Sequence, residues 1–266
     1  MDKKSLKLHN LEIATNGLHI LSEALGLEGD QPDSTRPILL AIDFGQTKNL
    51  MNGFSGSECC QELISTYNLI SGPSSYTSVV SKRVLFGTTE IIKPAEILHN
   101  IQALIPGDRN IILIGHGVQV ELKILVKLGF TFSSRISSII DTRGLAGEVF
   151  GTARYSLKSL LKSLRCRACR LHTGGNDAHF TLRASLLLAA RNFPDREHPT
   201  IRILRDIALE PVPHLVEAEA IAARNKEKKI AHLNSAKYQA QFRTAEQRAE
   251  IRAERAARKA RGVLWP

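Results

Sequence analysis

Ile114-Gly115-His116-Gly117-Val118-Gln119-Val120-Glu121-Leu122-Lys123-Ile124-Leu125 is the stretch on which the reading of this chain turns. It closes an apolar run, Asn110 to Ile114, that reads as a buried strand. It then turns tightly on its glycines and enters Val118 to Leu128, where apolar residues recur at helical spacing. A strand that runs straight into a helix is the building unit of α/β proteins. Upstream, Pro94 sits at the first-turn position of a helix over Ala95 to Leu104, followed by Pro106-Gly107. Further upstream, Ile38 to Ile42 reads as a buried strand, with the segment around Leu63 to Leu69 as its antiparallel neighbour. Downstream, Ile136 to Ile140 reads as a strand, Ser156 to Leu164 as a helix and Asp177 to Arg191 as a long amphipathic helix. The class is mixed α/β.

Around this core the composition changes. Residues 1–35 carry a modest helical period through Leu11, Leu18, Leu21 and Leu25, then a Gly, Asp and Pro-rich linker. Residues 36–195 hold the alternating elements, and 196–266 form a basic helical extension. From Pro213 there is no turn residue until Gly262, the pattern of a long solvated helix or tail. It holds twelve Lys and Arg against six Glu, more than half of the formal net charge of +10. Such charge attracts polyanions, so nucleic acid is an expected partner, and the C-terminal helix is a surface on which a protein partner would dock.

At 266 residues and 43% hydrophobic content the chain can bury one sizeable core. No apolar run approaches the roughly 20 residues that span a bilayer, and the polar start MDKKSLKLHN lacks the apolar region of a signal peptide. No membrane association is expected, and the expected location is cytoplasmic or nuclear. Cys59, Cys60, Cys166 and Cys169 are too few and too irregular for a disulfide scaffold. Cys166-Arg-Ala-Cys169 has metal-clip spacing without a second pair to complete it, so a structural role is expected there.

Three segments carry chemistry. In Leu40-Ala41-Ile42-Asp43-Phe44-Gly45-Gln46, Asp43 ends a strand. Residues two apart on a strand share a face, so an acid at 45 would join Asp43 at one metal; Gly45 stands there instead. Glu121 lies one turn into the helix after the Gly115 to Gly117 turn, facing back toward Asp43. In Leu171-His172-Thr173-Gly174-Gly175-Asn176-Asp177-Ala178, His172 precedes Asp177 by five residues near a helix start. His172 can take a proton from water and Asp177 can hold a metal. The plainer reading is a helix cap, which Asn176 and Asp177 also suit. His116 reads as a scaffold residue of its turn.

Taken in order, these segments resemble the DEDDh 3′–5′ exonuclease superfamily, whose pattern is Asp-x-Glu, Gly-His-x-x-x-x-Asp, Asp-Thr, then His-x-x-x-x-Asp-Ala with a Thr following. Asp141-Thr142 and Thr181 fit as well. The resemblance spans roughly Pro37 to Asn192, and Ser156-Leu157 with His172 to Thr181 resemble a fungal branch of exonuclease-like proteins. It implies a ribonuclease H-like mixed sheet flanked by helices, Mg²⁺ or Mn²⁺ as cofactor, and removal of nucleotides from a 3′ end of RNA or single-stranded DNA. It assigns metal binding to Asp43, Glu121 and Asp177, and water activation to His172. The pattern departs at two acids: Gly45 replaces the second, and Glu121 replaces an Asp. Against two divalent ions, three carboxylates leave about one positive charge unbalanced. The alternative expectation is a non-catalytic module on the same fold that holds nucleic acid or protein.

Overall fold

A chain with uninterrupted apolar runs at Ile38 to Ile42 and Ile111 to Ile114 must cover both faces of the sheet those runs build. A computed structural model of the protein describes residues 12–28, 36–44, 46–47, 50–51, 53–60, 63–105, 109–132, 135–195, 197–235 and 244–260. β1 (Ile38–Asp43) lies beside β7 (Ile111–Gly115), parallel, with Leu39 opposite Ile112 and Ala41 opposite Ile114. β8 (Ile136–Asp141) continues the parallel side. On the other side β4 (Gly53–Cys60) pairs antiparallel with β1, β5 (Leu63–Ile70) antiparallel with β4, and β6 (Thr88–Ile91) closes the edge parallel to β5. The order is β6-β5-β4-β1-β7-β8; β2 (Gln46–Thr47) and β3 (Leu50–Met51) form a separate two-stranded pair.

The sequence reading placed Leu63 to Leu69 directly against the first strand, and the structure corrects this by inserting β4 between them. The residues of β4, GFSGSECC, show no apolar alternation. What places it is its backbone ladder to two neighbours, which a hydrophobic pattern cannot reveal.

Alternation along β1 sorts its side chains onto two faces. Leu39 and Ala41 join Ile112, Ile114 and Ile140 in one core, covered by α1 (Gly17–Ala24), α5 (Thr142–Phe150), α6 (Leu157–Ser163), α7 (Gly174–Asn192) and α8 (Pro199–Ala208). Leu40 and Ile42 join Ile111, Leu113 and Ile139 in the other, covered by α3 (Ile97–Ala103) and α4 (Gln119–Lys127). Each fully buried Leu or Ile adds about 1.5–3 kcal/mol. α1 and α8, outside the 36–195 span, both pack against α7. α2 (Ser74–Ser81) lies against β5.

α7 is the second correction. Expected as an amphipathic helix, it is buried at every residue from Ala178 to Ala190. It lies on β1, β4, β5 and β7 and is itself covered by α1, α5, α6 and α8. Polar residues inside such a helix need partners. Ser185 Oγ donates to the Thr181 carbonyl, and His179, Arg183 and Thr66 bond to one another across the layers.

The chain divides into two compact units, Met1–Leu215 and Val216–Pro266. The second holds the described parts of the basic extension beyond Leu215, most of α9 (Leu215–Asn234), largely exposed, and α10 (Ala245–Ala260), while α8 belongs to the first. The single helix expected from Pro213 to Gly262 is thus described as two segments, with 236–243 and 261–266 outside the described residues. No helix among the described residues is long and apolar enough to cross a membrane.

Candidate functional site

The parallel strands β1 and β7 end side by side, and the turn after β7 is fixed by its own sequence. Gly117 has φ +75°, a left-handed conformation that glycine adopts without strain. Asp141, at the end of β8, accepts from the backbone N–H groups of Gly117 (2.9 Å) and Val118 (3.2 Å) and caps α5 by accepting from Arg143 N (2.9 Å). One carboxylate thereby ties the β7–α4 turn to the start of α5.

His116 is part of the same scaffold. One ring nitrogen, Nδ1, lies 2.8 Å from Thr142 Oγ1, and Nε2 lies 3.1 Å from the Tyr155 carbonyl. Both nitrogens are occupied within the protein, and burial followed by the Arg143 charge holds the ring's pKa below its usual value. A neutral, fixed ring is a positioning residue rather than a base, as its sequence context suggested.

Three carboxylates converge on the strand ends. Asp43 is the last residue of β1; its pKa is pushed up to about 7, first by burial and then by the charge of Asp177. Glu121, in the first turn of α4 and 8% exposed, is also raised to about 7, chiefly by burial and with the charge of Asp43 among the causes. Its Oε2 is buried without a hydrogen-bond partner. Asp177, in the first turn of α7, is raised to about 6 by burial, against the opposing pull of the His172 N–H and of Arg83. Gly45 lies outside the described residues.

Asp177 also holds the loop before it. The His172 N–H donates to both its oxygens, at 3.1 and 3.0 Å. His172 itself sits at φ +65° and its side chain is exposed. A non-glycine residue held in that region costs on the order of 1–3 kcal/mol and occurs most at working sites. Asp177 thus pins the preceding loop, while the helix's N-cap residue, Thr173, makes no side-chain capping bond. Next to it, Asn176 Oδ1 accepts from Leu85 N (2.8 Å), while its Nδ2 donates to the carbonyls of Arg83 (3.0 Å) and Arg170 (2.8 Å).

As a donor set this suits a hard divalent cation. It is all oxygen, desolvated, with repelling charge at Asp43 and Glu121, and has one acceptor atom left unpaired. Among the described residues, no three His, Cys, Asp or Glu side chains stand at ligand spacing. Asp43 feels the charge of Asp177, and Glu121 that of Asp43, without the three sharing one coordination point.

Two other features lie away from this cleft. A cavity of about 340 Å³ is lined by Arg165, Arg191 and Arg205 with Leu187 and Leu209. It sits toward the other end of α7, about 21 Å along the helix from Asp177 at 1.5 Å per residue. The C-terminal ends of α6, α7 and α8 meet there, so the arginines complement three helix dipoles. Cys166 is buried with Sγ 3.7 Å from the Ala208 carbonyl; it serves packing.

The sequence reading missed the polar network inside α7. Arg183, 1% exposed, donates from Nε to His179 Nε2 (2.8 Å) and from Nη1 to the Glu210 carbonyl (2.6 Å). His179, with its pKa held down to about 3 by burial and then by Arg183, is neutral. Because Nε2 accepts, the proton is on Nδ1 and is donated to Thr66 Oγ1, 2.9 Å away. Phe86 stacks on the ring at 3.6 Å. The i, i+4 spacing of His179 and Arg183 was the available signal.

Residues 68–188 match the family model described as the C-terminal domain of DNA polymerase III subunit epsilon-like proteins, of the DEDDh type. Over those residues the chain is similar to the DEDDh exonuclease family. The match is just under half of the chain, and it takes in Glu121, Asp141, His172 and Asp177 while beginning after Asp43. The architecture of the DEDDh domain is the ribonuclease H-like mixed sheet flanked by helices. An uncharacterized nucleolar protein of Schizosaccharomyces pombe is 28% identical over 107 residues, which are 37% of this chain and 43% of that protein. The chain therefore spans less than half the length of that relative.

Proposed function

We propose that this domain binds the 3′ end of a single nucleic-acid strand at the carboxylate cleft and removes nucleotides from it with the help of Mg²⁺ or Mn²⁺. The observation that carries the reading is the group of three acids, Asp43, Glu121 and Asp177, whose ionisation is suppressed by burial, with the charge of Asp177 adding at Asp43 and that of Asp43 at Glu121. Such a group takes up either protons or a cation. A divalent ion bound there would supply positive charge against the phosphate and promote ionisation of water. Asp43, Glu121 and Asp177 would hold it. His172, exposed beside Asp177, would accept the proton of the attacking water on a ring nitrogen as the terminal phosphodiester is cut. The nucleolar location of the similar yeast protein favours RNA as substrate and the nucleus as location. The DEDDh core would occupy 36–195, with 196–266 as a basic arm for the strand's backbone.

A second reading is a binding module without hydrolysis. Gly45 at the second acid position favours it, as does the absence of a three-ligand cluster among the described residues. Labelled single-stranded RNA and DNA, incubated with the full chain in Mg²⁺ and in Mn²⁺ beside Asp177→Ala, separate the two. Trimming from the 3′ end that the variant lacks supports the enzyme; binding without trimming supports the module. Neither binding nor trimming would refute both.

A further inference from the structure

Two exposed arginines stand beside the two turns that precede Glu121 and Asp177. Arg143, the second residue of α5, has its backbone N–H locked by Asp141. Its guanidinium lies over the Gly117 turn, where a Cβ on Gly117 would stand 3.1 Å from Arg143 Cζ. α4 with Glu121 begins two residues further on. Arg83, just after α2, is held at its carbonyl by Asn176 Nδ2, and its Nη2 donates to the Leu171 carbonyl at 3.4 Å, beside His172. Among the described residues neither guanidinium pairs with a carboxylate.

We infer that Arg83 and Arg143 form a two-sided clamp for the phosphates of the bound strand, one arm over the Gly117 turn and the other over the His172 loop. This rests on the nucleic-acid reading above and names the groups that hold the strand. Both backbones are pinned while both heads remain in solvent, so each fork is presented at little entropic cost. A guanidinium matches a phosphate with two parallel N–H donors. The fields agree, since Arg143 offsets the charge at Glu121 and Arg83 that at Asp177.

Charge balance gives the clamp its purpose. Three carboxylates against one divalent ion leave one negative charge, and a phosphodiester adds another. Two guanidiniums balance both. With Gly45 in place of an acid, positive charge that a second ion would bring is instead built into the chain. Arg165, Arg191 and Arg205, also exposed, sit at helix C-termini toward the far end of α7, away from the acids.

The test is binding of a fluorescein-labelled single-stranded RNA to the full chain in chelator, so that neither metal nor hydrolysis contributes. Arg83→Gln, Arg143→Gln and their double variant are compared with Arg83→Lys, Arg143→Lys and Arg205→Gln across a salt series. The clamp predicts about tenfold weaker binding for each single Gln variant and a salt slope reduced by roughly 0.7 per lost contact. The Lys variants should recover part of the affinity, which also shows that the site is folded, and Arg205→Gln should bind as the parent does. Equal losses in all three Gln variants, or none in Arg83→Gln and Arg143→Gln, overturn the clamp and leave the nucleic-acid reading intact. A parent chain that binds no strand either in chelator or in Mg²⁺ overturns that reading and the clamp with it.

Discussion

Replacing Asp43 by Asn should stabilise the cation-free protein at high pH and leave it unchanged in acid. In the folded chain the Asp43 carboxyl titrates near 7 instead of 3.8. Below about pH 4 it is protonated whether the chain is folded or not, so it costs nothing. As pH rises from 4 to 7 the unfolded chain ionises while the folded chain keeps the proton, so stability falls. Above 7 the loss is complete. A rise from 3.8 to about 7 corresponds to about 4 kcal/mol at ~1.4 kcal/mol per pKa unit. Glu121 and Asp177 share the repulsion, so about 2–4 kcal/mol belongs to Asp43. Asn cannot ionise and escapes the loss. His179 works in the opposite sense: its pKa, lowered from 6.5 to about 3, gives stability above 6.5 that is lost as pH falls toward 3. It is present in both proteins and cancels in their difference. Urea unfolding of the parent and Asp43→Asn in chelator, from pH 4 to 8, measures that difference. The variant should match the parent at pH 4 and exceed it by about 2–4 kcal/mol at pH 8. At pH 8 Mn²⁺ should stabilise the parent and not the variant. A difference that stays flat with pH would refute the account of a desolvated, repelling carboxylate group.

Three further outcomes follow from the same geometry. His172→Ala should lower 3′ trimming by about 10²–10⁴-fold while changing unfolding free energy by no more than about 0.5 kcal/mol, because the ring is exposed; trimming assays and urea melts check both. Gly175→Ala should destabilise by about 1–3 kcal/mol, since the added Cβ collides with Asn68 Oδ1, whose side chain also donates to the Phe86 and Thr88 carbonyls. Being two residues from Asp177, it should also blunt the Mn²⁺ stabilisation seen in thermal melts. Arg183→Met should cost about 3–5 kcal/mol by leaving His179 Nε2 and the Glu210 carbonyl without their donor; chemical unfolding reads the loss, and near-neutral stability would refute a bonded role for that guanidinium.

What the sequence alone determined is local and one-dimensional. Apolar runs, glycine turns and the order of the acidic motifs are properties of consecutive residues, and they sufficed for the β7–turn–α4 junction, the alternation of strands and helices, and the family. The scaffold role of His116 was also legible, as what the family resemblance implies for the His of that turn. Tertiary structure decided whatever depends on residues distant in the chain. β4 took its place between β1 and β5 through backbone ladders that leave no apolar signature in GFSGSECC. α7 became buried all round because four strands and four helices crowd it, a fact its own 3.6-residue period does not encode. The burial that forces His179 neutral against Arg183, and that lifts Asp43 and Glu121 to about 7, exists only once the layers close. Desolvation and charge repulsion act through space, so the chemistry of this site belongs to the fold, and the sequence records only which residues were available for it.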